Sequence, residues 1–109
     1  MESLQKLELK TVNGAYNKKI DGIYVGDILS YALVKVKEGN IWVTSQINAN
    51  VVAIAFHKKA SCVILTDNLT LNDEAYLKAK EHNINVFSSS KSAYEVAIDL
   101  YKIYGGKNE

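Results

Sequence analysis

From Asp27 onward the chain alternates short apolar runs with stretches of helical periodicity. Ile41-Trp42-Val43-Thr44 is β-branched and aromatic and follows the Gly39-Asn40 turn, which predicts a strand. Asn48 to Lys58 then reads as a helix with Asn48 or Asn50 at its cap, and Cys62 to Leu65 as a second buried strand. Asn72-Asp73-Glu74 opens a helix running to about His82, with its acidic residues in the first turn, where the helix dipole favours them. Val86-Phe87 is a short strand, and Ser88 to Ser92 leads into a last helix that Gly105-Gly106 stops near Tyr104. Upstream, Leu7 to Val12 alternates with a period of two, as a half-exposed edge strand does, and runs into the turn signal Asn13-Gly14. Ile23-Tyr24-Val25 adds a strand before a first helix expected to start at Asp27.

Strands separated by helices imply right-handed crossovers and a mostly parallel sheet. The unbroken apolarity of Val63-Ile64-Leu65 agrees, because strands of such sheets are covered on both faces. The expected fold is therefore α/β: a three-layer αβα sandwich with a mostly parallel sheet of four to five strands and four helices. With 109 residues, no internal repeat and no low-complexity tract, one domain spanning residues 1–109 is expected.

The helical wheel separates ordinary faces from unusual ones. In the first helix Ile28, Leu29, Ala32, Leu33 and Val36 form one core stripe; in the third, only the narrow stripe Ala75, Tyr76, Ala79 is apolar. The second helix differs, since Val51-Val52-Ala53-Ile54-Ala55-Phe56 is apolar all the way round. The last helix turns Ala93, Val96, Ala97, Leu100, Ile103 and Tyr104 to the sheet and carries a second stripe of Tyr94, Ile98 and Tyr101. Either a second subunit covers these spare faces, or a neighbouring helix or an N-terminal hairpin does. The first reading predicts a homodimer with Phe56, Tyr94, Ile98 and Tyr101 at its interface. Seven tyrosines and one tryptophan suit such a surface, because Tyr offers contact area with a polar tip.

Composition removes several classes of function. Hydrophobic residues at 48% and charged residues at 23% exclude intrinsic disorder. A net charge of +1 argues against a nucleic-acid partner, which needs a basic footprint. No apolar run reaches the length of a membrane span, and the N-terminal residues lack the basic-then-apolar order of a signal peptide. The lone Cys62 cannot form an internal disulfide and fits a reducing compartment, so the cytoplasm is the expected location and no membrane partner is expected.

No phosphate-loop or dinucleotide glycine motif is present, and two His with one Cys are too few for a zinc site, so neither a metal nor a cofactor is expected. His57 and His82 end helices, where cations complement the dipole, and Cys62 in mid-strand reads as a small core hydrophobe. No catalytic residue is assigned. The remaining chemistry lies in loops, because ligands of open parallel sheets bind beyond the carboxyl ends of the strands. Those ends read Thr44, Ser45, Gln46 and Asn48, with Asn50 in the following turn; Thr66, Asp67 and Asn68; and Ser88 and Ser89. Each precedes a helix N-terminus. Helix caps alone, or a small-molecule site, would both use these residue types.

The pieces Gly26-Asp27-Ile28-Leu29-Ser30, Gly39 to Thr44, Val63 to Leu69, Ile84 to Ser89 and Ser92-Ala93-Tyr94-Glu95 together resemble the DRTGG domain family. The resemblance spans Gly26 to Tyr101. Domains of this kind stand alone, accompany CBS pairs in pyrophosphatases, or lie within phosphate acetyltransferases. This chain departs from the pattern that names the family. Ser45-Gln46-Ile47 occupies the Asp-Arg position, and Asp67-Asn68 replaces the two glycines after Thr66. Asp and Asn tolerate left-handed backbone, so the turn is expected to persist. Thr44, Gln46 and Asn50 are similar to the Thr-x-Gln-x-x-x-Asn pattern of stand-alone members.

The resemblance implies a regulatory or assembly module, and with no catalytic constellation in the sequence the leading reading is a non-enzymatic one. It would be homodimeric and would sense a small, phosphate-bearing or nucleotide ligand, or assemble with a metabolic enzyme. The alternative is an enzyme or transferase accessory acting on a phosphate-bearing metabolite at the same loops.

Overall fold

A computed structural model describes residues 2–105; Gly106, expected to help stop the last helix, lies outside the described residues. After a 3-10 turn at Glu2–Lys6 come β1 (Lys10–Asn13), β2 (Ile23–Val25), α1 (Leu29–Lys35), β3 (Ile41–Thr44), α2 (Ala49–His57), β4 (Cys62–Leu65), α3 (Asp73–His82), β5 (Val86–Ser88) and α4 (Ala93–Tyr104). The sheet order is β1-β5-β4-β3-β2, with β2 to β5 parallel and β1 antiparallel on β5. Three successive crossovers step the sheet in one direction. With the right-handed crossover rule, that puts α1, α2 and α3 on a single face.

Alternation along the strands divides the core. Trp42, Val63, Leu65 and Val86 pack under α1, α2 and α3 together with Ala32, Val36, Val51, Val52, Ala55, Ala75 and Ala79. Ile41, Val43, Cys62, Ile64 and Phe87 face the other way, where Val96 and Leu100 of α4 and Leu4 of the 3-10 turn cover them. The outcome is an αβα sandwich in three layers. β3 and β4 are buried along their whole length, as central parallel strands covered on both faces must be. No helix among the described residues is long and apolar enough to cross a membrane.

Several expectations need correction. The expected strand at Leu7 to Val12 starts three residues later, at Lys10, and Asn13-Gly14 closes no hairpin. β1 and β2 occupy opposite edges of the sheet, so the chain between them crosses beneath it. A bulge at Val12 shifts the register from Thr11↔Phe87 to Asn13↔Val86 and turns the Asn13 amide inward, where its Nδ2 donates to Ile84 O at 2.9 Å. α1 begins at Leu29 rather than Asp27, and no side chain caps it. Of its expected core stripe only Ala32 and Val36 are buried; Ile28 and Leu33 stand 55% and 47% exposed, because α1 covers the sheet margin over edge strand β2. Tyr76 likewise faces solvent beside buried Ala75 and Ala79. α2 is flanked by α1 and α3, which accounts for much of its all-round apolarity, yet Ala53 and Phe56 remain exposed.

The remaining helix ends follow local rules. Asn48 caps α2 through Asn50 N–H at 3.0 Å, and Asn72 caps α3 through Ala75 N–H at 2.9 Å. Ser92 and Glu95 make a reciprocal capping box at α4, which ends on Gly105 in the left-handed region.

Candidate functional site

The carboxyl ends of the four parallel strands form one polar rim, and backbone bonds tie its loops together. Thr66 N–H reaches Thr44 O at 3.3 Å, Ser89 N–H reaches Leu65 O at 2.8 Å, and Asn68 N–H reaches Ser89 O at 2.8 Å. Asp67 and Asn68 adopt φ of +56° and +59°, so the turn after Thr66 keeps its left-handed geometry without glycine. Thr44, Ser45, Gln46, Asn48, Thr66, Asp67, Asn68, Ser88 and Ser89 therefore share one edge of the sheet. Asn50 lies in the first turn of α2, exposed, with its N–H engaged by Asn48.

Asp27 is the rim residue that the sequence reading missed. It follows β2 as Ser45 follows β3, so its place at a strand's carboxyl end was the available signal. Its Oδ1 accepts from Thr44 Oγ1 at 2.8 Å and from Ser45 N–H at 2.7 Å, while Gln46 Nε2 donates to Asp27 O at 3.1 Å. Partial burial pushes the carboxyl up, but the hydrogen bonds from Ser45 and Thr44 together outweigh it and hold it below the usual carboxylate range. Asp27 is thus a fixed anion and acceptor, suited to binding and orienting rather than to proton transfer near neutral pH.

Three other rim side chains also have partners. Asn48 Nδ2 donates to Gln46 Oε1 at 3.4 Å, Ser88 Oγ donates to Leu69 O at 2.6 Å, and Ser89 Oγ accepts Lys91 N–H at 3.0 Å. A cavity between the β5–α4 corner and Leu7-Glu8-Leu9 holds about 30 Å³, room for little more than one water. A much larger cleft of about 640 Å³ opens at the opposite, amino end of the strands.

The four expected interface residues do not share a face. Phe56 belongs to the α1–α3 layer, where its ring lies 4.4 Å from that of His82. Tyr94, Ile98 and Tyr101 belong to α4 across the sheet and form one stripe, 75%, 37% and 63% exposed. A single two-fold contact cannot centre on both. Cys62 is fully buried and its thiol is pushed up to about 12, which makes it unreactive in the folded chain. Among the described residues no His, Cys, Asp and Glu side chains cluster to hold a metal ion.

The family model for the DRTGG domain matches residues 5–103. The chain belongs to the DRTGG domain family. A solved structure of similar fold is that of the CBS and DRTGG domains of the regulatory region of Clostridium perfringens pyrophosphatase, complexed with its activator diadenosine tetraphosphate. The TM-score is 0.72 at 22% identity, over 88% of this chain and 43% of that one. This DRTGG chain thus spans less than half the length of that regulatory region. No curated protein matches it.

Proposed function

We propose that this DRTGG chain, as one domain over residues 1–109, is a non-enzymatic regulatory module. It senses a small phosphate-bearing or nucleotide ligand at the strand-end rim and works as a homodimer beside a metabolic enzyme in the cytoplasm. The observation that carries the reading is the convergence of Asp27, Thr44, Ser45 and Gln46 with the Thr66–Asn68 and Ser88–Ser89 loops on one edge of the sheet. The first turn of α2 carries no acidic residue, unlike those of α3 and α4, so its N–H groups beyond the Asn48 cap favour an anion there. Because the adjoining cavity is so small, a ligand on this rim would be closed over by a second copy or a partner domain. The pyrophosphatase regulatory region with its dinucleotide activator offers a parallel for the ligand class.

The dimer face supported best is the α4 stripe of Tyr94, Ile98 and Tyr101, exposed apolar area of the kind that marks interaction sites. Light scattering on a sizing column should give twice the chain mass, and Ile98→Glu with Tyr101→Glu should return the single-chain mass. Diadenosine tetraphosphate should perturb the amide resonances of Ser45, Asp67 and Ser89 on the rim, and Gln46→Leu with Thr66→Val should remove those perturbations. A single-chain mass for the unaltered protein would overturn the dimer. Perturbation of these rim resonances that survives the double variant would overturn the site.

A further inference from the structure

The cleft at the amino ends of the strands is unrelated to the rim and has its own chemistry. Its walls come from the segment crossing between β1 and β2, the end of α2 and the end of α3. At about 640 Å³ it matches the usual size of small-molecule sites. Lys18, Lys19 and Lys59 converge on it from two separate parts of the chain. Among the described residues no carboxylate lies within ion-pair distance of any of these three ammonium groups. Asp21 and Glu38 line the same cleft, leaving an excess of one positive charge. Lys18 is held in position by donating to Asn83 O at 2.9 Å.

Lysines near helix C-termini often only complement the dipole. Two features exceed that role. Lys19 comes from the crossing segment and bonds neither helix end, although its neighbour Lys18 does cap the Asn83 carbonyl at the end of α3. Lys59 follows α2 at φ +58°, in a position where glycine is the ordinary residue and a side chain is disfavoured. Lys59 bears that backbone cost where it lines the cleft. Beside it the half-exposed Phe56 ring and the His82 ring, 4.4 Å apart, give the cleft an aromatic wall.

We propose that this cleft is a nucleotide-binding site, with the base against Phe56 and His82 and the phosphates held by Lys18, Lys19 and Lys59. Stacking on an aromatic wall tolerates any base, and point-charge lysines suit phosphate oxygens. The site is independent of the rim reading and can be present whether or not the rim binds anything.

Titration calorimetry with ATP on the full chain, at low and then moderate salt, tests it. Adenosine and inorganic tripolyphosphate serve as the separate halves of the probe. ATP should bind more tightly than either half, perturbing the amide resonances of Lys59, Ala60 and His82. Lys59→Gly removes one cation and relieves the left-handed lysine, so it should weaken ATP by about tenfold while the melting temperature holds or rises. Phe56→Ala should weaken ATP but leave tripolyphosphate unchanged. The rim double variant Gln46→Leu with Thr66→Val should bind ATP at this cleft as before. Absence of ATP binding at millimolar concentration, or equal affinity in Lys59→Gly, would overturn the assignment. So would ATP binding that only the rim variant removes.

Discussion

Asn85 joins the segment crossing from β1 to β2 to the rest of the fold, and its removal should have a large, measurable cost. The side chain is fully buried one residue before β5. Its Oδ1 accepts the N–H groups of Ala15 and Tyr16 at 2.9 and 2.5 Å, and its Nδ2 donates to Tyr16 O at 2.8 Å and Ser61 O at 3.1 Å. The segment it grips is awkward for a free chain. Gly14 and Ala15 have φ of +87° and +119°, and a Cβ on Gly14 would come within 2.7 Å of Asn85 Oδ1. In Asn85→Ala all four hydrogen bonds vanish, each worth about 1 kcal/mol net. Ala15 and Tyr16 can turn to water once the segment lifts, whereas Ser61 O is left buried, so the expected loss is about 2–4 kcal/mol. For a domain of this size that lowers the melting temperature by about 10–25 °C. Urea unfolding followed by the fluorescence of Trp42, the only tryptophan and fully buried, measures it directly. The midpoint should fall while the denaturant slope stays constant, since the same core is exposed on unfolding. A loss below about 1 kcal/mol would refute the view that this amide anchors the crossing segment.

Two further expectations follow from titrating groups. Because the folded Asp27 carboxyl lies below its ordinary value, its stabilising contribution is present above that value and is lost as pH falls through the folded one. Unfolding midpoints measured downward from about pH 4 should therefore drop less steeply in Asp27→Asn than in the unaltered chain; parallel curves would contradict the Thr44 and Ser45 bonding. The Cys62 thiol, buried and pushed up to about 12, should resist a disulfide-exchange reagent at neutral pH and react at once in denaturant. Rapid labelling of the folded chain would show that the α4 side of the sheet opens readily.

The local sequence determined β3, α2, β4, α3, β5 and α4 to within a residue or two. The reason is that each rests on short-range physics: an apolar run between turn residues, or an Asn or Ser that can accept the first free N–H groups of a helix. The rim was legible for the same reason, since polar residues after each strand follow from strand position alone. The left-handed turn at Asp67-Asn68 needs only the backbone tolerance of those two residues. Tertiary structure decided the rest. The antiparallel docking of β1 on β5 joins residues some seventy positions apart, and nothing near Lys10 encodes that partner. Asp27 reads locally as a helix start, and only the neighbouring end of β3 turns its carboxylate into a rim acceptor. A helical wheel gives the angle of an apolar face but neither its layer nor the width of its contact. Ile28 and Leu33 are exposed because α1 covers a margin, and Phe56 is separated from the Tyr94–Tyr101 stripe because α4 crosses to the far face of the sheet. The amino-end cleft arises the same way: Lys18 and Lys59 meet because the long connection passes beneath the strands, a path set by the pairing of two opposite sheet edges.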